Sequence, residues 1–364
     1  MSLSTRVLDT RVSEWSRKKP RGEIGVEVEL EGVLDNGGLG SKYWIVKPEG
    51  SLRDGCEYVL ASPARLEDLD DVGREFDGMM KKSKPKKTIR CSTHIHVNVN
   101  NKKLREVYNI IGYYYLIEEL LVRTQGPART GNLFCLRMSD AENIGEQLLF
   151  STEDSHITVF SQNQNKYGAL NLAAPMKFGS LEFRFLLPMT SWKEISIWIH
   201  LLHRLVNTAK DISIGDSVKY VLEDTPRDFL RRVFTKEQTD FILGHFGTTL
   251  AKELLLENFD YIEELSKSLT KTPFFKLPKG HIPSDINYMG MKKPSITGAA
   301  VPGTWGTIDE IVNPPLVLNW NTLVHQGPMQ FTNPAPTAQE VADSLLDDDT
   351  PVEFDEQEPE DSSW

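Results

Sequence analysis

Four short stretches carry residues whose types and spacing could do chemistry. Glu27-Val28-Glu29, His94-Ile95-His96-Val97-Asn98 and Leu181-Glu182-Phe183-Arg184-Phe185 each alternate polar with apolar positions, and Glu57 stands within Gly55-Cys56-Glu57-Tyr58-Val59. Along a strand, residues two apart share a face. Each stretch would therefore present its acids, imidazoles or guanidinium on one side and pack Val, Ile, Leu or Phe on the other. Two carboxylates side by side repel unless a cation neutralises them. Imidazole is a common metal ligand, and an arginine beside a metal-bound carboxylate can hold a phosphate in a bidentate grip.

Each pair alone has an ordinary reading. Glu27 and Glu29 could line a solvent-facing strand, which Glu23 and Glu31 would extend. His94 and His96 could be satisfied core histidines, and Glu182 with Arg184 a surface ion pair. Taken together, the stretches describe a sheet with one polar face of Glu, His and Arg. Such a face can hold two or more Mg2+ or Mn2+ ions; Zn2+ would call for more His or Cys. It also suits a nucleotide triphosphate, whose charge the metals offset while Arg stabilises the transferring phosphoryl group. No GxxxxGK[ST] segment occurs, which excludes a P-loop.

The elements that must position these residues are legible as a mixed pattern. Period-two alternation predicts strands at EIGVEVELEGV, YWIVKP, CEYVLASP, TIRCSTHIHVNVN, GALNLAAP and GSLEFRFLLP, the last two joined by a KFG turn. Helical spacing predicts LEDLDDVGREFDGMMKK, LREVYNIIGYYYLIEELLVRT and WKEISIWIHLLHRLVNTAK. Residues 126–165 read as loops with a short helix around QLLFSTED. The expected organisation is an arm over 1–21, an α+β catalytic domain over 22–210, a helical extension over 211–272, a Pro/Gly-rich extended segment over 273–335 and an acidic, disordered tail over 336–364.

Composition bounds the rest. The chain has 364 residues, 39% hydrophobic and 26% charged, which is ordinary for a soluble protein. The most apolar stretches, near 107–122 and 195–206, are broken by charged or polar residues, so no membrane span is expected. The first residues lack the apolar core of a signal peptide, and three cysteines without a CxxC pair fit a reducing cytoplasm. The net charge of −11 matches the eleven acidic residues between Glu340 and Trp364, where no basic residue occurs. The remaining body is neutral, so duplex nucleic acid is not an expected partner. The run Lys81, Lys82, Lys84, Lys86 and Lys87 reads as a solvated loop.

The ordered set GVEVEL, EGSLRDGCEYVLASP, STHIHVNV, RTGNLFC and YGALNLAAPMKFGSLEFRFL resembles the amidoligase family over roughly residues 22–210. That family is a distant relative of glutamine synthetase and glutamate–cysteine ligase, often encoded by phages and bacteria. The resemblance implies an antiparallel sheet of the glutamine-synthetase catalytic type, helices on one face, and ATP held between metal ions. It implies metal ligation by Glu27, Glu29, Glu57, His94 and Glu182: Glu27 sharing one ion with His94 and Glu182, Glu29 binding another with Glu57. It places His96, Arg184, Asn132 and Asn171 at the nucleotide or substrate, and makes Arg184, Glu57 and Arg129 the expected catalytic residues. Glu49-Gly50-Ser51 departs from the family's Asp-Gly-Ser, with Arg53 and Asp54 close by. The implied reaction joins a small-molecule or peptide carboxylate to an amine through an acyl phosphate, in the cytoplasm of a cell or phage host.

Two other classes stay open. A metal-dependent oxygenase or hydrolase could use His94, His96 and Glu182 with His156, His200 or His203. A non-catalytic scaffold could use the acidic tail to bind a protein partner. Homo-oligomerisation is also open.

Overall fold

The acid–apolar alternation of residues 24–31 does form a strand, and that strand sits at the centre of the site's scaffold. A computed structural model describes residues 8–32, 41–133, 135–151 and 158–269. The expected Pro/Gly-rich segment over 273–335 and the acidic tail lie outside them.

Six strands make one antiparallel sheet: β1 Ile24–Glu31, β2 Trp44–Pro48, β3 Gly55–Leu60, β4 Thr93–Asn98, β5 Leu170–Asn171 and β6 Ser180–Leu186. Their order across the sheet is β2-β3-β1-β4-β6-β5. The fold is thus α+β, with the chemistry-bearing strands β3, β1, β4 and β6 adjacent at the middle. In register, Glu29 faces Glu57, Glu27 faces His94, His96 faces Glu182, and Asn171 also faces Glu182. Residues directly opposite in a sheet share a face, so the pairing gathers on one side what the alternation put there.

The other side is a hydrocarbon core. Val26, Val28, Leu30, Tyr58, Leu60, Ile95, Val97, Leu181 and Phe183 are at most 1% exposed. Helices α2 (Leu69–Ser83), α3 (Leu104–Arg123) and α6 (Trp192–Ala209) pack onto the sheet and one another. Full burial of each such side chain contributes about 1.5–3 kcal/mol. Trp44 Nε1 donates to the Val72 carbonyl at 3.1 Å, tying β2 to α2. A Cβ at Gly73 would lie 1.9 Å from Trp192 Cδ1, so α2 and α6 meet where only glycine fits.

Helix α3 is buried nearly all round because it is covered twice, by the sheet layer and by the later helices. Those are α7 (Ile214–Glu223), α8 (Pro226–Arg231), α9 (Lys236–Leu243), α10 (Thr248–Leu256) and α11 (Phe259–Leu269). Ser213, Thr225 and Thr235 cap α7, α8 and α9 by accepting from the amide three residues on.

At the N-terminal side, the short helix Val12–Trp15 buries Val12 completely, with Val12 and Ser13 amides donating to the carbonyls of Lys102 and Asn100.

Three expectations are corrected. GALNLAAP yields only Leu170–Asn171 as strand, followed by the short helix Ala174–Phe178. The Asn171 side chain accepts from Ala173 N at 2.9 Å and turns the chain, and Pro175 has no N–H for a ladder. The KFG turn remains, with Gly179 at φ 74°, and leads into β6. The strand read from Thr88 starts at Thr93. The short helix expected around residues 147–154 runs over Glu142–Ser151.

Candidate metal and phosphate site

Glu27 is the hinge of the polar face. Its Oε2 lies 3.2 Å from His94 Nδ1 and its Oε1 lies 3.4 Å from His96 Nε2. Glu182 faces the same two rings, with Oε1 3.8 Å from His94 Nδ1 and Oε2 3.9 Å from His96 Nε2. Two groups of ligand atoms result, each mutually within 4.8 Å: Glu27, Glu57 and His94, and Glu27, His96 and Glu182. The cluster is deep, with both histidines and Glu182 at most 2% exposed.

Supporting side chains hold the ligands in place. Asn171 Nδ2 donates to Glu182 Oε2 at 2.6 Å, so Asn171 orients a candidate ligand. Ser180 Oγ lies 3.0 Å from His96 Nδ1, and Phe178 packs edge-on against the His96 ring. Between Thr93 and Ile95 the β4–β6 register slips, leaving one extra residue on β6. A bulge of this kind re-aims a side chain. Here Arg184 Nη1 pairs with Glu182 and sits 3.4 Å from His94 Nδ1. Arg184 Nε is buried with no partner among the described residues. A buried, unsatisfied guanidinium donor is costly.

The electrostatics follow from this crowding. Burial works against ionising Glu27, but hydrogen bonds and positive charge from His94 and His96 hold it well below the usual carboxylate range. Burial likewise opposes ionised Glu182, and Arg184 and His96 overcome it and lower its pKa. His96 is raised despite its burial by Glu182 and Glu27. Glu57 goes the other way: burial, then the nearby Glu27 charge, pushes it up to about 8, although Lys47 Nζ lies 2.8 Å from its Oε2. The oxygen-rich donor set fits a hard divalent cation such as Mg2+ or Mn2+.

Other expected residues stand differently. Glu29 is in neither convergent group; its carboxylate takes the Ser92 hydroxyl. Glu23 and Glu31 accept from the Leu66 and Arg53 amides, so the ends of the acidic stripe serve the backbone. Glu49 accepts from Ser51 within its own turn. Arg129 is 2% exposed and its Nη2 donates to the carbonyls of Cys91 (2.7 Å) and Leu186 (2.6 Å), linking the ends of β4 and β6. Asn132 donates to the Ala128 carbonyl at 3.4 Å. His203 bonds Asn207 along α6 and His200 is exposed, neither joining the cluster, while His156 lies outside the described residues. The positioning residues Ser92, Ser180 and Lys47 escape a search for ligand types alone. Period two from His94, Glu182 and Glu49 was the available signal.

Residues 63–206 match the family model described as "Putative amidoligase enzyme". The match points to a ligase-type enzyme. It spans β4, β5 and β6, with His94, His96, Asn171, Glu182 and Arg184, and is narrower than the sequence motifs imply. Glu27, Glu29 and Glu57 lie before it and join it through the β1–β4 and β1–β3 pairings. No curated protein and no solved structure matches the chain. Among the described residues no helix is long and apolar enough to cross a membrane.

Proposed function

We propose that the chain is an ATP- and Mg2+-dependent carboxylate–amine ligase. The observation that carries this reading is Glu27, whose two oxygens serve two histidines and thereby join two ligand groups beside an arginine with an unused donor. Divalent cations held by Glu27, Glu57, His94, His96 and Glu182 would offset triphosphate charge. Arg184, whose Nη1 lies beside Glu182 and His94, would take a phosphoryl oxygen as charge builds there. In the proposed chemistry a substrate carboxylate attacks the γ-phosphorus of ATP and ADP leaves. The amine then attacks the acyl phosphate carbon, phosphate leaves, and the amine proton passes to phosphate or solvent. The folded chain's main contribution would be position and charge. The oxygenase or hydrolase reading is not favoured, since no further histidine joins the cluster among the described residues.

Incubation with ATP, Mg2+ and a metabolite extract should release ADP and yield a product whose mass equals two metabolites less water. Glu182→Gln should abolish both. Turnover retained by Glu182→Gln would sink the assignment.

A further inference from the structure

Helix α2 ends on a strip of lysines that the proposed chemistry does not use. Lys81, Lys82, Lys84 and Lys86 are exposed, and none of them makes an ion pair among the described residues. Lys87 differs: its Nζ lies 4.0 Å from Glu194 Oε2. Lys81 and Lys82 sit in the last turn of α2, where cations suit the helix end. Lys84 and Lys86 have no such duty. Beside them Ile89 is 44% exposed, an apolar side chain left open next to the strip.

The strip is held in place by its backbone. The Lys86 amide donates to the Glu31 carbonyl at 2.7 Å, and the Glu31 amide donates back to the Lys86 carbonyl at 3.1 Å. Lys84 closes α2 in the left-handed region at φ 48°, with its amide donating to the Met80 carbonyl at 3.1 Å. Farther on, the Cys91 amide donates to the Thr88 carbonyl at 3.1 Å. A surface fixed in this way loses little freedom when it binds. Glu31 follows Glu27 and Glu29 on one face of β1, so the lysines border one end of the polar site. The Glu31 carboxylate takes the Arg53 amide, and among the described residues neither it nor Asp54 pairs with these lysines.

Four such cations and one open apolar side chain fit a segment of acids around a hydrophobic residue. The chain carries one: residues 340–364 hold eleven acids and no base, and Phe354 stands between Glu353 and Asp355. Reach is no obstacle. Even at the rise of a helix, about 1.5 Å per residue, residues 270–339 extend about 105 Å. A body of this size has a radius of gyration of about 18 Å. A tether also makes the encounter intramolecular, which favours the chain's own segment over a free acidic partner. We infer that the acidic segment 340–364 docks in cis on the Lys81–Lys86 strip, with Phe354 on Ile89, and covers the Glu31 end of the polar face. The inference rests on charge and exposure, and it stands whether or not the site is a ligase.

Zero-length carbodiimide coupling of the full chain, which joins a carboxylate directly to an amine, tests this when the cross-links are read by mass spectrometry. Acids of 340–364 should couple to Lys81, Lys82, Lys84 and Lys86 at least about tenfold more than to Lys19 and Lys42, exposed lysines elsewhere. The yield should fall several-fold between about 0.1 M and about 1 M salt, where the screening length drops from about 10 Å to about 3 Å. Asp347→Asn, Asp348→Asn and Asp349→Asn together, or Ile89→Ser alone, should lower coupling through the remaining acids while every lysine stays in place. In an equal mixture of 15N-labelled and unlabelled chains, the couplings should join like with like. Coupling spread evenly over all exposed lysines overturns the inference. Mixed-label couplings would overturn docking in cis and assign the strip to a second copy.

Discussion

Glu27 and His94 stand directly opposite one another in the β1–β4 register, with Oε2 3.2 Å from Nδ1. The same carboxylate reaches His96 through its other oxygen, so one side chain couples the two ligand groups. Glu27→Gln should therefore weaken divalent-cation binding at both groups together. A loss of at least tenfold in Mn2+ affinity, or about 1.4 kcal/mol, is expected by titration. Loss at one group alone would break the coupling.

Cation binding should depend on pH through Glu57. Its pKa near 8 means that the metal-free protein holds a proton there at neutral pH. A ligating carboxylate must give that proton up. Affinity should rise with pH up to about 8, with proton release on binding, measurable by calorimetry in buffers of different ionisation enthalpy. Lys47 opposes the rise in Glu57, so Lys47→Met should move the profile to higher pH.

A separate pH effect belongs to Glu118 in α3. Burial pushes its carboxyl up to about 8, while the Met138 amide donates to Oε2 at 2.8 Å. The folded state thus prefers the neutral acid over the unfolded chain, whose value is near 4.5. The stability this provides is full below pH about 4.5 and is lost as pH rises through about 8, on the order of a few kcal/mol. Glu118→Gln should flatten the decline in melting temperature between pH 5 and 9 (about one probe point per unit suffices). An unchanged slope would place the titrating group elsewhere.

Arg129 is predicted to act through the backbone. Removing its guanidinium leaves the Cys91 and Leu186 carbonyls without that donor, a cost of about 2–5 kcal/mol. Arg129→Met should melt earlier. A variant of wild-type stability that loses turnover would instead put Arg129 at the substrate.

How much of this was legible in the residues follows their physics. Period-two alternation identifies a strand's face without its neighbours, so Glu27, Glu57, His94, His96, Glu182 and Arg184 could be chosen as a set. Which of them meet depends on register. The resemblance grouped Glu27 with His94 and Glu182; the ligand atoms gather instead as Glu27 with Glu57 and His94, and Glu27 with His96 and Glu182. The β6 bulge that turns Arg184 has no local sequence mark, because it arises from pairing with β4. Asn171 was visible as a polar residue, but its strand stops there because its own side chain makes the turn. The double cover of α3 was foreshadowed by its apolar run, while the burial of Glu118 and Glu119 depends on partners distant in sequence, Asn258 and Arg137.

The central claim is that the face around Glu27 is a divalent-cation site built to take a nucleotide. Anomalous diffraction from crystals grown with Mn2+ and a non-hydrolysable ATP analogue tests it most directly. The account predicts Mn2+ peaks at the Glu27–Glu57–His94 group and at the Glu27–His96–Glu182 group, with a phosphate oxygen on Arg184. Bound nucleotide elsewhere, with no metal peak against Glu27, would contradict it.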